Sequence, residues 1–422
     1  MTDVRPFRAL RYDLSRVDLS RVIVPPYDVI TPEERVAFFG RDPHNAIRIE
    51  LPREVGSEGG YDDVAATLAA WTHEGILRHD DSPALYALRQ RFAVPDGGVC
   101  VREGFFALLH LEDYSRRIVR PHERTLAGPK ADRLRMLRAT RANLSIVFLL
   151  YEDRENSLGG AIASGFDAGP LGVARDDGGV EHALGRIDDR DAQESVRRFL
   201  AERPVVIADG HHRYETALAY RDERRSAEPG AGPDAPFEAT LAYFANAYGE
   251  GTLLLPIHRV VRRGAAPTDA VWRERLAGWS ERHVEVSDVE KLPTLLAEHL
   301  APLGRRPCFA ADDGSGTLRI FWREASGDEL AIRVFHREVV EGVFGLGEAA
   351  VREGALDFPK STARAAHDVR SGRGSVALYL NPLTPEDVFR VTGAGEVLPQ
   401  KSTFFLPKLP TGLVFRSFEE SA

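Results

Sequence analysis

The sequence predicts an α+β fold with mixed sheets, and three stretches carry that prediction. Two long alternating runs, 84–94 and 99–114, flank the turn cluster Pro95-Asp96-Gly97-Gly98 and read as a β-hairpin, which needs a sheet beneath it. Residues 191–221 read in order as helix, buried strand, Asp-Gly turn and helix. Residues 253–323 alternate β-α-β-α-β-β, the order of a small α/β layer packed on its own sheet. At 422 residues the chain exceeds one ordinary domain. It divides into an N-terminal α/β region at 1–252, a small α/β module at 253–334 and a C-terminal segment at 335–422 expected to pack back on the core.

The remaining elements are set by local chemistry. Val22-Ile23-Val24 is a short β-branched run stopped by Pro25-Pro26. Thr31-Pro32-Glu33-Glu34 has the cap, the proline and the acidic first turn of a helix start. Ala46 to Leu51 alternates like a half-buried strand, and Tyr61 to Glu74 reads as an amphipathic helix ended by Gly75. Ser145 to Leu150 is an apolar strand, and the Gly/Asp-rich stretch 156–179 reads as a loop. The helix from His211 to Arg221 turns Tyr214, Ala217 and Leu218 inward, and a loop of disordered composition comes after it at 226–238. Near the end, Ser375 to Leu380 is a further apolar strand, with a helix start at Thr384-Pro385-Glu386-Asp387.

Composition narrows the function classes. The chain is 43% hydrophobic and 28% charged, as expected of a globular protein. No apolar run approaches the roughly 20 residues of a membrane span, so no membrane partner is expected. The charged start has no secretory apolar core, and Cys100 and Cys308 alone make no disulfide framework, so the expected location is cytoplasmic. A net charge of −9 argues against a broad nucleic-acid face while leaving room for a local basic pocket. Lysine occurs only at 130, 291, 360, 401 and 408, the rest of the positive charge being arginine. A lysine that persists in such a chain is a candidate for a role that needs lysine.

Four segments could carry chemistry. In Ala208-Asp209-Gly210-His211-His212-Arg213 a strand runs into a glycine and a helix begins at once. The free N–H groups and dipole of that first turn suit a phosphate, and Gly210 lets the backbone approach it closely. Arg213 can fork onto phosphate oxygens, the two histidines can donate hydrogen bonds, and Asp209 can hold Mg²⁺. The alternative is a helix capped by Asp209 with solvated histidines. Adjacent histidines point about 100° apart on a helix, which disfavours zinc. The second segment, VRPHERTLAGPKADR, gathers Arg120, His122, Glu123, Arg124, Thr125 and Lys130, cations around one carboxylate that suits a general base. The third is Pro25-Pro26-Tyr27-Asp28, where the prolines hold Asp28 in place. The fourth, Lys401-Ser402-Thr403, offers a cation and two hydroxyls without a P-loop pattern. His44 and His258 read as structural.

Taken together, PPYDVI, HNAIRIELP, VRPHERTLAGPKADR, NLSIVFLLYED, IADGHHRYETAL, LPIHRVV and PQKSTFF resemble the bacterial domain-of-unknown-function 1015 family over about residues 5–415. The strand–Asp-Gly-His-His-Arg–helix unit is in addition similar to the nucleotide motif of the ParB/sulfiredoxin superfamily and its free-serine kinases, over about 15 residues. That resemblance implies a ParB/sulfiredoxin-like nucleotide-binding core plus the smaller α/β module. It also implies a nucleotide phosphate on Gly210, His211, His212 and Arg213, with Asp209 near the transferred group. Sulfiredoxins need a cysteine where His211 stands, which disfavours that chemistry. Partition proteins would bring a basic DNA-binding surface, which the charge disfavours.

These residues and the resemblance lead to a nucleotide-dependent small-molecule kinase, using ATP or ADP with Mg²⁺ and acting on a hydroxylated amino acid such as serine. Asp209, Glu123, His212 and Asp28 are the candidate catalytic residues. Gly210, His211, His212, Arg213, His122, Lys130, Lys401, Ser402 and Thr403 are the candidate binders, and Asp209 is the candidate metal ligand. The same anion cradle also suits a non-catalytic nucleotide switch that recruits a protein partner, or a phosphatase acting on a phosphorylated metabolite.

Overall fold

The computed structural model describes residues 1–51, 58–94, 98–123, 128–327, 329–399 and 401–419. The hairpin turn expected at 95–98 therefore lies largely outside the described residues, as do Arg124 and Thr125. The fold is α+β. The chain forms two compact units: Met1–Leu253 with Val391–Val397 and Pro407–Ala422, and Leu254–Arg390 with Leu398–Leu406.

The first unit is built on a mixed sheet of nine strands among the described residues. In chain order they are β1 Val4–Arg5, β2 Tyr86–Ala93, β3 Val99–His110, β4 Val119–Pro121 and β5 Val147–Tyr151. Then come β6 Gly172–Arg175, β7 Glu181–Leu184, β8 Val205–Asp209 and β9 Ala239–Asn246. The spatial order is β4-β8-β5-β9-β3-β2-β7-β6, with β1 beside β3. The expected hairpin is present as β2–β3, in register from Tyr86↔Phe106 to Ala93↔Val99. Two pairings are parallel: β8 with β4 and β9 with β5. Helices of this unit include α1 Pro32–Arg41, α2 Ile47–Glu50, α3 Glu58–His73, α4 Gly128–Thr140 and α5 Arg190–Ala201. Another, α6 His211–Ala227, comes directly after the Asp-Gly turn. The core joins sheet residues such as Phe105, Leu149, Ile207 and Phe244 to Val196 and Leu200 of α5 and Tyr214 and Ala217 of α6.

Along the β3–β9 seam, Gly104 opposes Ala245. A Cβ on Gly104 would run into the Phe244 carbonyl and the Tyr243 ring. Gly104→Ala is expected to cost about 1–3 kcal/mol, as overpacking in a close-packed core does. A urea midpoint unchanged from the parent would show that the seam can open.

Two expectations about local structure are corrected. Ala46 to Leu51 is not a strand; Ile47–Glu50 is a turn of helix. Asn45 directs the turn, its Oδ1 accepting the Ile47 N–H at 3.0 Å, while Ile47, Ile49 and Glu50 are all buried. Alternation signals a strand only where one face meets water. The stretch 156–179 is not all loop, since it holds a helix at Gly159–Ala163 and β6, which pairs with β7. The helix of the Asp-Gly unit also runs further than Arg221, to Ala227.

The second unit has a six-stranded antiparallel sheet. Its strands are β10 Arg259–Val261, β11 Ser280–Glu285, β12 Cys308–Asp312, β13 Thr317–Trp322, β14 Leu356–Asp357 and β15 Val376–Tyr379, in the order β11-β13-β12-β15-β10-β14. Helices α7 Asp269–Arg275 and α8 Leu292–His299 fall where the alternating pattern put them. The C-terminal segment is shared differently from the expectation that 335–422 packs back on the first region. Residues 335–390 belong to the second unit, and β15 lies between β12 and β10, with all four of its residues buried. The interior position pairs both edges of this all-apolar strand, and the helix Thr362–Arg370 packs against it. No helix among the described residues is long and apolar enough to cross a membrane.

Candidate functional site

The parallel pairing of β4 with β8 builds the site. Its register, Val205↔Val119, Val206↔Arg120 and Ile207↔Pro121, sends the two strands out of the sheet at the same edge. His122 and Glu123 therefore emerge beside Ala208 and Asp209, although the chain separates them by more than 80 residues. The carboxyl ends of parallel strands are where open sheets present ligand sites. Gly210 then turns the chain at φ +88, a left-handed value glycine adopts without strain. Gly210, not Asp209, is the N-cap of α6, and no side chain caps that helix end.

Asp209 sits between two cations. Lys408 Nζ meets its Oδ1 at 2.5 Å, and Arg213 Nη2 meets its Oδ2 at 3.3 Å. Burial would raise the Asp209 carboxyl, but the charges of Lys408 and Arg213 override it and hold the group at about 2. Arg213 also donates from Nη1 to the Ile146 carbonyl at 2.5 Å, and its Nη2 lies 3.7 Å from Asp28 Oδ1. The Tyr27 ring lies over both Arg213 and Arg133, at 5.6 and 4.3 Å. Burial alone would lower Arg213; Asp209 and Asp28 outweigh it and raise its affinity for the proton. The fully buried Glu50 adds to that field and accepts the Ser145 hydroxyl at 2.6 Å.

Beside this triad lies a histidine–carboxylate pair. The His122 backbone N–H donates to His211 Nε2 at 3.3 Å, so the proton of a neutral His211 is on Nδ1, which faces Glu123 Oε1 at 3.5 Å. His122 in turn donates from Nδ1 to the Ile207 carbonyl at 2.5 Å. The two imidazoles meet edge to face with centroids 4.6 Å apart. Burial holds both below the usual histidine range, His211 far below it, with the neighbouring His122 adding to the effect. His211 is thus neutral, and its Nδ1–H is aimed at a carboxylate that keeps 37% side-chain exposure.

Of the other sequence candidates, Asp28 and His212 lie at this site, whereas Lys401, Ser402 and Thr403 do not. His212 is half-buried one residue into α6. Lys130, on α4, forms an ion pair with Glu215 on α6. Asp28 lies in the short 3₁₀ turn Tyr27–Val29. Lys401, Ser402 and Thr403 belong to the second unit. There the Lys401 carbonyl accepts from Arg259 at 3.1 Å, and the Ser402 hydroxyl donates to the Pro399 carbonyl at 2.6 Å. Lys408 is singled out in the sequence only as a retained lysine and given no role, and Glu50 is not a candidate. The signal for Lys408 was its persistence in an arginine-rich chain; for Glu50 nothing local distinguished it.

As a Mg²⁺ ligand, Asp209 is already engaged. Both oxygens of Asp209 already face cations, so this carboxylate would bind a divalent ion only after losing Lys408. His122, Glu123 and His211 are one group among the described residues whose ligand atoms lie within 4.8 Å of one another. Metal binding there would require His211 to give up the tautomer that its contact with the His122 N–H selects.

The depressed Asp209 carboxyl has a consequence for stability. Its folded value, about 2, lies below the ordinary 3.8. The stabilisation is therefore complete above about pH 4 and is lost as pH falls toward 2, in total on the order of 2 kcal/mol. Urea unfolding at pH 6, 4, 3 and 2 should show the loss, and Asp209→Asn should flatten that part of the profile. An identical acid slope in the variant would contradict the assignment.

The fold and this edge define the class: an α+β protein with an uncapped, glycine-turned helix N-terminus and a histidine–carboxylate pair beside it. The family model described as "Protein of unknown function (DUF1015)" matches residues 4–307, and the chain belongs to that family. No curated protein matches. Among solved structures, a conserved hypothetical protein from Pyrococcus furiosus is 13% identical, covering 75% of this chain and 96% of that one at a TM-score of 0.35. A free serine kinase in complex with AMP is also 13% identical, with 75% and 92% covered and a TM-score of 0.37. SbnI with a C-terminal truncation, from Staphylococcus aureus, is 10% identical, with 75% and 90% covered and a TM-score of 0.31. At such scores the likenesses are weak, and the chemistry of the site rests on this chain's own residues.

Proposed function

We propose that the protein is a nucleotide-dependent small-molecule kinase whose acceptor is a hydroxyl group, with a hydroxylated amino acid such as serine as the leading candidate. The observation that carries this reading is the Lys408–Asp209–Arg213 triad at the open N-terminus of α6, with the Glu123–His211 pair on the adjoining strand end. The nucleotide's phosphates rest on the first-turn N–H groups of His211, His212 and Arg213, where the helix dipole favours negative charge. Arg213 and Lys408 counter the charge that spreads over the transferred phosphoryl group, and Asp209 holds both in place. Glu123 takes the acceptor's hydroxyl proton as its oxygen bonds to phosphorus and the bond to the nucleotide breaks. His211 orients that carboxylate through Nδ1–H. Mg²⁺ would accompany the nucleotide's own phosphates, and no step is assigned to it. The acceptor class is supported by the similarity of the Asp-Gly-His-His-Arg unit to the free-serine kinase motif.

A thermal-shift screen against ATP, ADP, CTP, GTP, serine and phosphoserine, with Mg²⁺, tests the reading. A nucleotide at about 100 times its dissociation constant should add roughly 2.7 kcal/mol of stability, and the shift should vanish in Arg213→Ala. A shift with phosphoserine but with no nucleotide would overturn the kinase reading in favour of phosphatase chemistry. Nucleotide binding without consumption, with serine and other hydroxyl acceptors present, would instead support the switch.

A further inference from the structure

The second unit contains a cavity of about 430 Å³, within the usual range for small-molecule sites. Part of its lining is apolar, including Leu330, Ile332, Leu380 and Leu383. Another part is an arginine–carboxylate cluster. The Asp387 carboxylate, 5% exposed, meets Arg305 Nη2 at 2.5 Å and Arg390 Nη2 at 3.5 Å, and accepts the Thr384 hydroxyl at 3.1 Å. Asp387 is thus matched on several sides and acts to aim the arginines. A guanidinium carries five N–H donors, so the bond through Nη2 orients Arg305 without exhausting it. The other lining carboxylate, Glu329, is paired with Arg323 and Arg337.

A second, independent observation gives the sign of the charge. Arg259 is fully buried, yet its partners among the described residues include no carboxylate: Nη1 donates to the Ile257 carbonyl at 2.5 Å, while Nη2 donates to the Lys401 carbonyl and faces His336 Nε2 at 3.3 Å. Burial draws this guanidinium down to about 9 and both neighbouring histidines, His258 and His336, to about 4. Ile257 lines the cavity and Lys401 adjoins the lining residue Ser402, so the carbonyls that hold this guanidinium belong to residues in or next to the wall. A buried charge without a partner is costly, and an anion in the cavity would relieve it.

The geometry points to this cavity as a binding site for a small amphipathic acid, a molecule with an apolar body and a single anionic head, separate from the nucleotide site proposed for the first unit. The probe is 8-anilinonaphthalene-1-sulfonate, with N-phenyl-1-naphthylamine as its uncharged counterpart, titrated by fluorescence into the intact chain. One saturable site per chain is expected, at least about tenfold tighter for the sulfonate than for the neutral dye. Arg305→Ala should weaken sulfonate binding about tenfold, and Ala331→Trp, which fills the cavity, should abolish it. Arg213→Ala should leave it unchanged, which separates this site from the nucleotide reading. Displacement by octanoate would assign a carboxylate head and displacement by octyl phosphate a phosphate head; displacement by neither overturns the proposal. So would equal affinity for the neutral dye, or parent-like binding in the two cavity variants. If Ala331→Trp fails to fold, Arg305→Ala decides alone, because Arg305 is about half exposed and its loss leaves the core intact.

Discussion

Glu123→Gln should reduce phosphoryl transfer by about 10²–10⁴-fold while leaving the nucleotide-induced thermal shift in place. Glutamine keeps the shape of the side chain and can still meet His211, but it cannot accept a proton. Glu123 Oε1 approaches His211 Nδ1 to 3.5 Å and its side chain keeps 37% exposure, so a histidine orients it while solvent reaches it. Asp28→Asn is the matched comparison. Asp28 lies 3.7 Å from Arg213 and has no histidine beside it, so its loss should act mainly through binding. A steady-state assay that separates kcat from KM distinguishes the two. A larger fall in kcat for Asp28→Asn than for Glu123→Gln would transfer the base to Asp28.

Lys408→Met should have the largest effect on stability, about 3 kcal/mol at pH 7. Removing one partner of a buried ion pair leaves the other charge desolvated and unpaired, a loss of about 3–5 kcal/mol when no water reaches it. Here the two side chains keep 24% and 17% exposure, which places the expectation at the lower end. The Asp209 carboxyl should rise toward its ordinary value in this variant, so the extra stability of the parent should shrink between pH 4 and 2. The double variant with Asp209→Asn should recover part of the loss, since residue 209 no longer carries a charge relying on Arg213 alone, while Arg213 keeps Asp28 as its facing carboxylate. A Lys408→Met protein as stable as the parent would mean that Arg213 alone compensates Asp209. Nucleotide affinity should fall in the same variant, and the two readouts together separate a phosphate-binding role from a purely structural one.

How far the fold and the site were legible in the chain differs from element to element. The strand–Asp-Gly–helix unit, apart from the end of its helix, which was read at Arg221 and lies at Ala227, could be read directly because each part is coded locally: an apolar β-branched run, a glycine able to adopt positive φ, then an inward face at Tyr214 and Ala217. The β2–β3 hairpin and the alternating elements of the second unit were legible for the same reason. The helix at Ile47–Glu50 was misread because both faces of its segment are buried, and alternation then carries no information about which face meets solvent. Lys408 gave only a compositional hint, and Glu50 none.

The anion cradle proposed at Gly210–Arg213 could be read from the chain itself, because the chemistry of a helix N-terminus lies within a few consecutive residues. The distant groups that share its edge are chosen by the folded arrangement alone. The parallel register of Val119–Pro121 on Val205–Ile207 delivers His122 and Glu123 to Asp209 and His211, and the C-terminal segment returns to place Lys408 on Asp209. The same arrangement assigns Lys401 and Ser402 to the second unit and leaves Arg259 there as a buried cation with no carboxylate partner among the described residues. Sheet pairing and long-range return of the chain depend on the packing of the whole core. No local pattern of side chains encodes them, which is why the partners of the motif had to be seen rather than read.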